Sequence, residues 1–321
     1  MMRALHVTEP GGPAALTPTD LPEPSALPGH AVVRNAVIGL NFIDVYYRNG
    51  TYPAPYPLVP GQEAAGIVTA VGEGIEGIAP GDRVAYATQL GAYAEYTAVP
   101  AAKLVPVPEP VSLQDAAAVL LQGLAAHYLS HTTHPVASGE TVVVLAAAGG
   151  LGQLLVQLAA HRGANVVAVA SSKEKQQIAL AAGAQHAVPY ENFAGAVREL
   201  TGGEGAHVVY DSVGAATFET SVKALRRRGT LVVCGLSSGP VPPFDAELLR
   251  TSGSLYLTRP TLADHVPDAP SLRAAAAELF GYVAQGVVRP NVHAELPLAD
   301  AARAHELLEG RVTTGKVLLT P

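Results

Sequence analysis

The chain has 321 residues, 49% of them apolar and 15% charged, a composition that folds around a substantial core rather than staying disordered. A net charge of −7 leaves no dominant basic field, which argues against a general DNA or RNA binder. No run of about 18 apolar residues occurs, so no membrane span is expected. The opening Met1-Met2-Arg3-Ala4-Leu5-His6 lacks the apolar stretch of a secretory signal, and the lone Cys234 excludes an internal disulfide and any multi-cysteine metal site. A cytoplasmic protein is the expectation.

The length suits two domains. The N-terminal part is rich in Pro and Gly, with short β-branched runs between turns. Ala31 to Ile38 and Ala64 to Val71 read as strands, and Gly81-Asp82-Arg83-Val84-Ala85-Tyr86 as a turn feeding another. Ser112 has the side chain to cap a helical run from Leu113 to Leu129. After position 139 the texture changes. Thr141-Val142-Val143-Val144-Leu145 is continuously apolar, as in a strand buried on both faces of a parallel sheet. A glycine-rich turn, a helix from Gln153 to Arg162, a second apolar strand (Asn165 to Val169) and a helix from Lys173 to Ala182 follow. His207 to Tyr210 and Thr230 to Val233 supply further strands. Strands alternating with helices at this spacing predict an α/β doubly wound parallel sheet of the Rossmann kind. The tail holds helices from Ser271 to Gln285 and Ala299 to Glu309, then a terminal strand from Gly315 to Leu319.

Ala146-Ala147-Ala148-Gly149-Gly150-Leu151-Gly152 lies between a buried strand and a helix, the context that a dinucleotide fingerprint requires. Glycines let the backbone approach a pyrophosphate, and the helix N-terminus offers amide N–H groups and a positive dipole end. Ala147 stands where the first glycine of the fingerprint usually falls; a tight turn without ligand is the alternative. An NAD-selective site places Asp or Glu at the tip of the second strand. Here the tip reads Ala170-Ser171-Ser172-Lys173-Glu174-Lys175, with hydroxyls and lysines suited to a 2′-phosphate, so NADPH is the expected cofactor. For Lys175 a solvated helix face is the competing reading.

Several blocks resemble the medium-chain dehydrogenase/reductase superfamily, and within it the zinc-free quinone oxidoreductases, the zeta-crystallin-like family. They are Gly39-Leu40-Asn41-Phe42-Ile43-Asp44, Gly61-Gln62-Glu63-Ala64-Ala65-Gly66, Gly81-Asp82-Arg83-Val84, Ala146 to Gly152, Val209 to Gly214, Gly253-Ser254-Leu255-Tyr256 with Thr258-Arg259-Pro260, and the Gly315-Lys316 ending. The resemblance implies a GroES-like β-rich domain from residues 1–122 and 262–321, with a Rossmann NADP-binding domain, residues 123–261, inserted between them. Zinc-dependent relatives place a cysteine at the position of Asn41 and a histidine at that of Gln62, so no metal is expected. Carried over residue by residue, Asn41 and Asp44 lie beside the nicotinamide and its ribose, while Tyr46 and Tyr52 border the substrate cleft. Ala148, Gly149, Gly150, Leu151 and Gly152 hold the pyrophosphate. Ser171, Lys175 and Tyr190 surround the 2′-phosphate and adenosine, and Arg311 approaches from the tail. Ser212 and Gly214 follow the fourth strand, and Gly235, Leu236 and Ser237 the fifth; Leu236 replaces a polar residue of some relatives, which leaves backbone contacts there.

Each tempting residue has a plainer reading. Tyr46 and Tyr52 flank a Pro-rich loop and suit core packing; Asp44 suits a helix cap. His127, His131 and His134 fall at helical spacing but suit solvated or capping roles, and Cys234 reads as a small buried hydrophobe in a strand. The function expected is hydride transfer from NADPH to a quinone without a metal. The alternatives are an enone or alkenal reductase with the same cofactor, and a nucleotide-binding protein without catalysis, crystallin-like or RNA-binding. Gly253 to Thr258 reads as an edge strand able to pair with a symmetry mate, so a homodimer is expected.

Overall fold

The computed structural model describes residues 1–321. Along the chain, β1 (Met2–His6) and β2 (Thr17–Leu21) pair antiparallel. Then come β3 (His30–Gly39), α1 (Phe42–Arg48), β4 (Glu63–Val71), β5 (Arg83–Ala87), β6 (Tyr96–Pro100) and β7 (Leu104–Pro106). Helix α2 (Leu113–Tyr128) starts where Ser112 Oγ accepts the Asp115 N–H at 2.9 Å. It stops at Tyr128, short of the expected Leu129, and gives way to a π turn over Leu129–Thr133. There the Ser130 hydroxyl donates back to the Ala126 carbonyl at 2.7 Å, a side-chain bond of the kind that disturbs a regular helix.

Strands and helices then alternate: β8 (Thr141–Leu145), α3 (Gly150–His161), β9 (Asn165–Val169), α4 (Lys173–Ala181), β10 (His186–Val188) and α5 (Phe193–Leu200). They continue through β11 (Ala206–Asp211), α6 (Phe218–Ala224), β12 (Leu225–Val233), α7 (Glu247–Thr251), β13 (Tyr256–Thr258) and α8 (Leu262–His265). The chain ends with α9 (Ala269–Ala284), β14 (Val292–Pro297), α10 (Ala301–Glu309) and β15 (Lys316–Thr320).

Two units result, residues 1–124 with 266–321, and residues 125–265. In the first, one sheet runs β14-β15-β3-β4-β5-β7, with β6 also on β3. The tail belongs to this sheet: β15 pairs antiparallel with β3 through Leu318 opposite Gly39 and Leu319 opposite Ile38. Its core gathers Val33, Ile38, Tyr86, Tyr93, Val99, Leu104, Val317 and Leu319.

The second unit is a six-stranded parallel sheet in the order β10-β9-β8-β11-β12-β13. Counted within the unit this is 3-2-1-4-5-6, the Rossmann order, with its switch point between β8 and β11. The apolar run Val142 to Leu145 is buried on both faces, as its lack of alternation predicts. Because the strands are parallel, their C-terminal ends share one edge, and the turns that follow them collect there. At that edge the buried Asp211 accepts the N–H groups of Val213 (2.8 Å) and Gly214 (2.9 Å), and the hydroxyls of Thr217 and Ser221 (2.7 Å each). Replacing Asp211 with Ala strands the two amides and the Ser221 hydroxyl, while the Thr217 hydroxyl keeps the Gly214 carbonyl at 3.3 Å. We expect a loss of about 3 kcal/mol or more in urea-induced unfolding, given ~1–3 kcal/mol for each unmet buried polar group; a loss below about 1 kcal/mol would show that Asp211 is dispensable to this edge.

Candidate active site

At the end of β8 the chain must reverse direction before α3. Ala146 takes a left-handed backbone (φ 49°), a conformation that disfavours a side chain. The strain falls on Ala146 rather than on Ala147, where the fingerprint places its departure from glycine. The Tyr190 hydroxyl accepts the Ala146 N–H at 3.0 Å and the Ala146 carbonyl accepts the Gly149 N–H at 2.9 Å, so the turn is held from both sides. Tyr190 therefore acts on the turn itself, besides the adenosine role expected of it. Gly149 is the N-cap of α3, and Gln153 Nε2 donates to the Ala148 carbonyl at 2.7 Å. A Cβ on Gly152 would lie 2.3 Å from the Ala146 carbonyl oxygen, closer than any real contact, so only glycine lets helix and turn pack. The opening amides of α3, at Gly150, Leu151 and Gly152, have no helical acceptor four residues back and suit an anion.

The other cofactor candidates sit on the same sheet edge. Ser171 follows β9 in an exposed bend. Ser172 Oγ accepts the Lys175 N–H at 3.2 Å and so caps α4, which places Lys175 in the first turn of that helix, partly exposed. No carboxylate stands at the tip of β9; Glu174 is exposed on α4. After β11, the Ser212 hydroxyl donates to the Leu145 carbonyl at 3.4 Å, and Gly214 is left-handed (φ 91°). After β12, a Cβ on Gly235 would lie 2.6 Å from the Ser212 carbonyl oxygen, so these two turns touch backbone to backbone. The Leu236 side chain packs into the apolar core, leaving backbone for any ligand, and the Ser237 N–H donates to the Ser212 carbonyl at 3.4 Å. Cys234 lies just beyond β12 rather than within a strand, partly exposed, with its thiol pushed up to about 12 by burial and by Asp211. Arg311 belongs to the other unit, exposed and left-handed (φ 56°) after α10.

The first unit holds a buried polar cluster around α1. Asn41, the N-cap residue, is 4% exposed, and its N–H donates to Asp44 Oδ2 at 2.9 Å. Its side-chain Nδ2 donates to Glu63 Oε2 (2.8 Å) and to the Gly39 carbonyl (3.1 Å), while Oδ1 accepts from Lys316 Nζ (2.8 Å). Lys316 Nζ also donates to Glu63 Oε2 at 2.6 Å, and Glu63 Oε1 accepts the Leu121 N–H at 2.6 Å.

Asp44, expected beside the nicotinamide and its ribose, caps α1 from within the cluster. Its side chain is fully buried, accepting the Asn41 N–H and meeting the Tyr93 hydroxyl at 3.4 Å. Tyr93 in turn meets His305 Nε2 at 2.8 Å, and His305 Nδ1 lies 3.0 Å from Arg48 Nη1. Arginine only donates, so Nδ1 accepts, Nε2 carries the proton and donates to Tyr93, and Tyr93 donates to Asp44. Arg48 closes the chain with two bonds to Glu309, at 2.8 and 2.9 Å. The cluster thus holds two cations, Lys316 and Arg48, each paired with a glutamate, and Asp44 has no cation of its own. Burial raises its carboxyl to about 7, against the pull of the Asn41 N–H and Lys316; burial, helped by Arg48, lowers His305 to about 3.

Tyr46 and Tyr52 come together, ring centroids 5.2 Å apart, and Tyr47 meets Tyr52 edge-on at 5.8 Å. The packing reading of these tyrosines thus holds, and their partial exposure leaves room for a second role. His127 and His131 stack at 4.2 Å while His134 pairs with Glu140 at 3.0 Å. Sequence reasoning gave no role to Glu63, Lys316, Tyr93, Arg48 or His305. Glu63 and Lys316 lay inside recognised motifs, which was the available signal; the others carried none.

Two outcomes follow from this geometry. Gly152→Ala should weaken NADPH binding at least tenfold in a fluorescence titration, because the turn must open to admit the methyl; unchanged affinity would remove the turn from the cofactor site. Asp44 and His305 oppose each other with pH. With Asp44 at about 7 against 3.8 unfolded, the native state holds the extra proton between those values, and stability falls as pH rises. With His305 at about 3 against 6.5, the unfolded state holds it, and stability rises with pH over that range. Asp44→Asn removes only the first effect. Relative to the parent, its stability in urea titrations should therefore improve steadily between pH 4 and pH 7; a constant difference would mean that Asp44 ionises normally.

Comparison with known proteins extends these observations. Residues 27–109 match the model of the alcohol dehydrogenase GroES-like domain, and residues 150–266 that of the zinc-binding dehydrogenases. The chain is 44% identical to a quinone oxidoreductase of Pseudomonas aeruginosa, with 100% of both chains covered. It is 38% identical to a 2-haloacrylate reductase of a Burkholderia species, over 100% of this chain and 99% of the relative. A mycobacterial protein solved in complex with NADPH matches with a TM-score of 0.97 at 45% identity, covering 100% of each chain. With the two-part fold, the glycine turn and this end-to-end similarity in hand, the chain belongs to the quinone oxidoreductase family of the medium-chain dehydrogenases/reductases.

Proposed function

We propose that the protein is an NADPH-dependent quinone reductase. The observation that carries the reading is the pairing of a glycine turn shaped for a pyrophosphate with a β9 tip that bears Ser171 and Lys175 and no carboxylate. The names of the relatives point the same way.

The amides of Gly150, Leu151 and Gly152 bind the pyrophosphate, and Ser171 with Lys175 receives the 2′-phosphate. Bound NADPH supplies the hydride, from C4 of its nicotinamide. Asn41 fixes the nicotinamide end, while Tyr46 and Tyr52 border the acceptor. Catalysis then comes from holding two planar rings in register, an effect worth several kcal/mol when the geometry is right. A quinone suits this site because its own π system accepts the developing charge. The amide of Asn41 is committed to hydrogen bonds and Gln62 offers an amide where zinc relatives have imidazole, so the donor set favours acceptors that need no Lewis acid.

Reduction of activated double bonds is the second reading, favoured by the similarity to a 2-haloacrylate reductase. We also infer a homodimer built through β13, the exposed edge of the parallel sheet, where Tyr256 is 56% exposed. A cytoplasmic location fits a chain whose single cysteine gains nothing from an oxidising compartment.

NADPH and NADH oxidation should be followed with benzoquinone, phenanthrenequinone and a simple alkenal. Turnover with NADPH and quinones is expected, with NADH much poorer; turnover of the alkenal alone would favour the second reading, and NADPH binding without turnover would leave a binding protein. Lys175→Met should raise KM for NADPH about tenfold or more, as expected for one charge-assisted hydrogen bond, and leave NADH unchanged. Equal effects on both cofactors would assign the 2′-phosphate to another group.

A further inference from the structure

The Asn41 amide sits between two residues that leave it no freedom. Lys316 Nζ only donates, so the Asn41 atom 2.8 Å from it is the carbonyl oxygen. Glu63 only accepts, so the atom 2.8 Å from its Oε2 is the amide nitrogen. Both Nδ2 protons are then spent, one on Glu63 and one on the Gly39 carbonyl, and a flipped amide would face Lys316 with a second donor. What remains to Asn41 is one lone pair on Oδ1.

The pair that imposes this is fully buried. Glu63 and Lys316 are 0% and 2% exposed, and they join β4 to the last strand of the chain. Gly39 makes the room: a Cβ there would lie 2.5 Å from Glu63 Oε2. A buried ion pair is a poor source of stability, since apolar residues of the same volume often serve as well, whereas this one fixes the arrangement of a polar neighbour, which apolar residues would not.

We propose that Lys316 and Glu63 are positioning residues that lock the Asn41 amide, so that Asn41 meets the reduced nicotinamide nucleoside solely as a hydrogen-bond acceptor. This deepens the proposed function, because it rests on Asn41 lying at the nicotinamide. The ligand group selected is a donor, either the carboxamide NH₂ or a ribose hydroxyl of the nicotinamide half. Asn41 does not hydrogen-bond the oxygen of a quinone as it gains negative charge, for it has no proton left to give.

The test uses the full chain and three reduced cofactors: NADPH, its 3-acetylpyridine analogue, which lacks the carboxamide donor, and the analogue with a deoxyribose on the nicotinamide side. Affinities are read from nicotinamide fluorescence without any acceptor, so the result stands whether or not quinones are reduced. The parent should bind one of the two analogues about tenfold more weakly than NADPH, the effect of one neutral hydrogen bond, and the penalised analogue identifies the donor. In Lys316→Met/Glu63→Gln, which removes both charges together, that preference should shrink to within about threefold. Affinity for 2′,5′-ADP, a ligand of the Rossmann unit alone, should stay unchanged. Asn41→Leu serves as the second variant, should the double one fail to fold, and should lose the same preference. Parent binding that ignores both changes, or a preference that survives in either variant, overturns the proposal. Absence of quinone turnover with the preference intact would instead sink the proposed function and leave the lock standing.

Discussion

The contact around which the buried polar groups of the first unit are arranged is the salt bridge between Lys316 and Glu63. It ties the last strand of the chain to β4, across a separation of 253 residues, inside a core that excludes water. Each charge brought there loses several kcal/mol of hydration, so the arrangement persists only because every strong partner is supplied: the Leu121 N–H for one carboxylate oxygen, Asn41 and Lys316 for the other. The return of β15 onto β3 and the first turn of α1 both converge on this pair. Removing one partner alone would strand the other charge, which is why the fold and the local geometry of Asn41 are coupled.

In the second unit the governing constraint is backbone proximity. A parallel sheet delivers the ends of β8, β9, β11 and β12 to one edge, and the turns there approach so closely that side chains are excluded at Gly152 and Gly235. Ala146 keeps a methyl in a left-handed conformation and is held by Tyr190 and by its own hydrogen bond to Gly149. The turn is thus shaped before any ligand arrives, and its amides need not reorganise when one does.

These two constraints were unequally legible in the sequence. The sheet was readable because its signals are local: Val142 to Leu145 without alternation, glycines just after, and a helix beyond. The fold class and the cofactor followed from that texture and from the residues at the tip of β9. The cluster around Asn41 was not readable from spacing, since Glu63, Tyr93, His305 and Lys316 reach it from distant segments and no periodicity links them. Asp44 showed the limit most clearly. Its spacing from Asn41 suits a helix cap and a site residue equally, and the structure shows the cap, fully buried. Tyr46 and Tyr52 posed the same ambiguity, and packing against each other accounts for them without removing them from the surface.

The two units answer different physical demands. After β9 the polar groups are exposed or partly exposed, as at Ser171 and Lys175, so solvent moderates the strength of charge interactions there. Around Asn41 the polar groups are buried, and what the packing fixes is orientation. A desolvated network serves that need, because its members cannot rotate without breaking several bonds at once. Within it Lys316 pairs with Glu63 and Arg48 with Glu309, while burial raises the carboxyl of Asp44 to about 7. Ionising Asp44 adds a negative charge that the Asn41 N–H, Lys316 and the Tyr93 hydroxyl favour and that burial and Glu63 oppose. Asp44 accepts the Asn41 backbone N–H at 2.9 Å, so its ionisation bears on the helix cap, while the side-chain amide is held by Lys316, Glu63 and the Gly39 carbonyl.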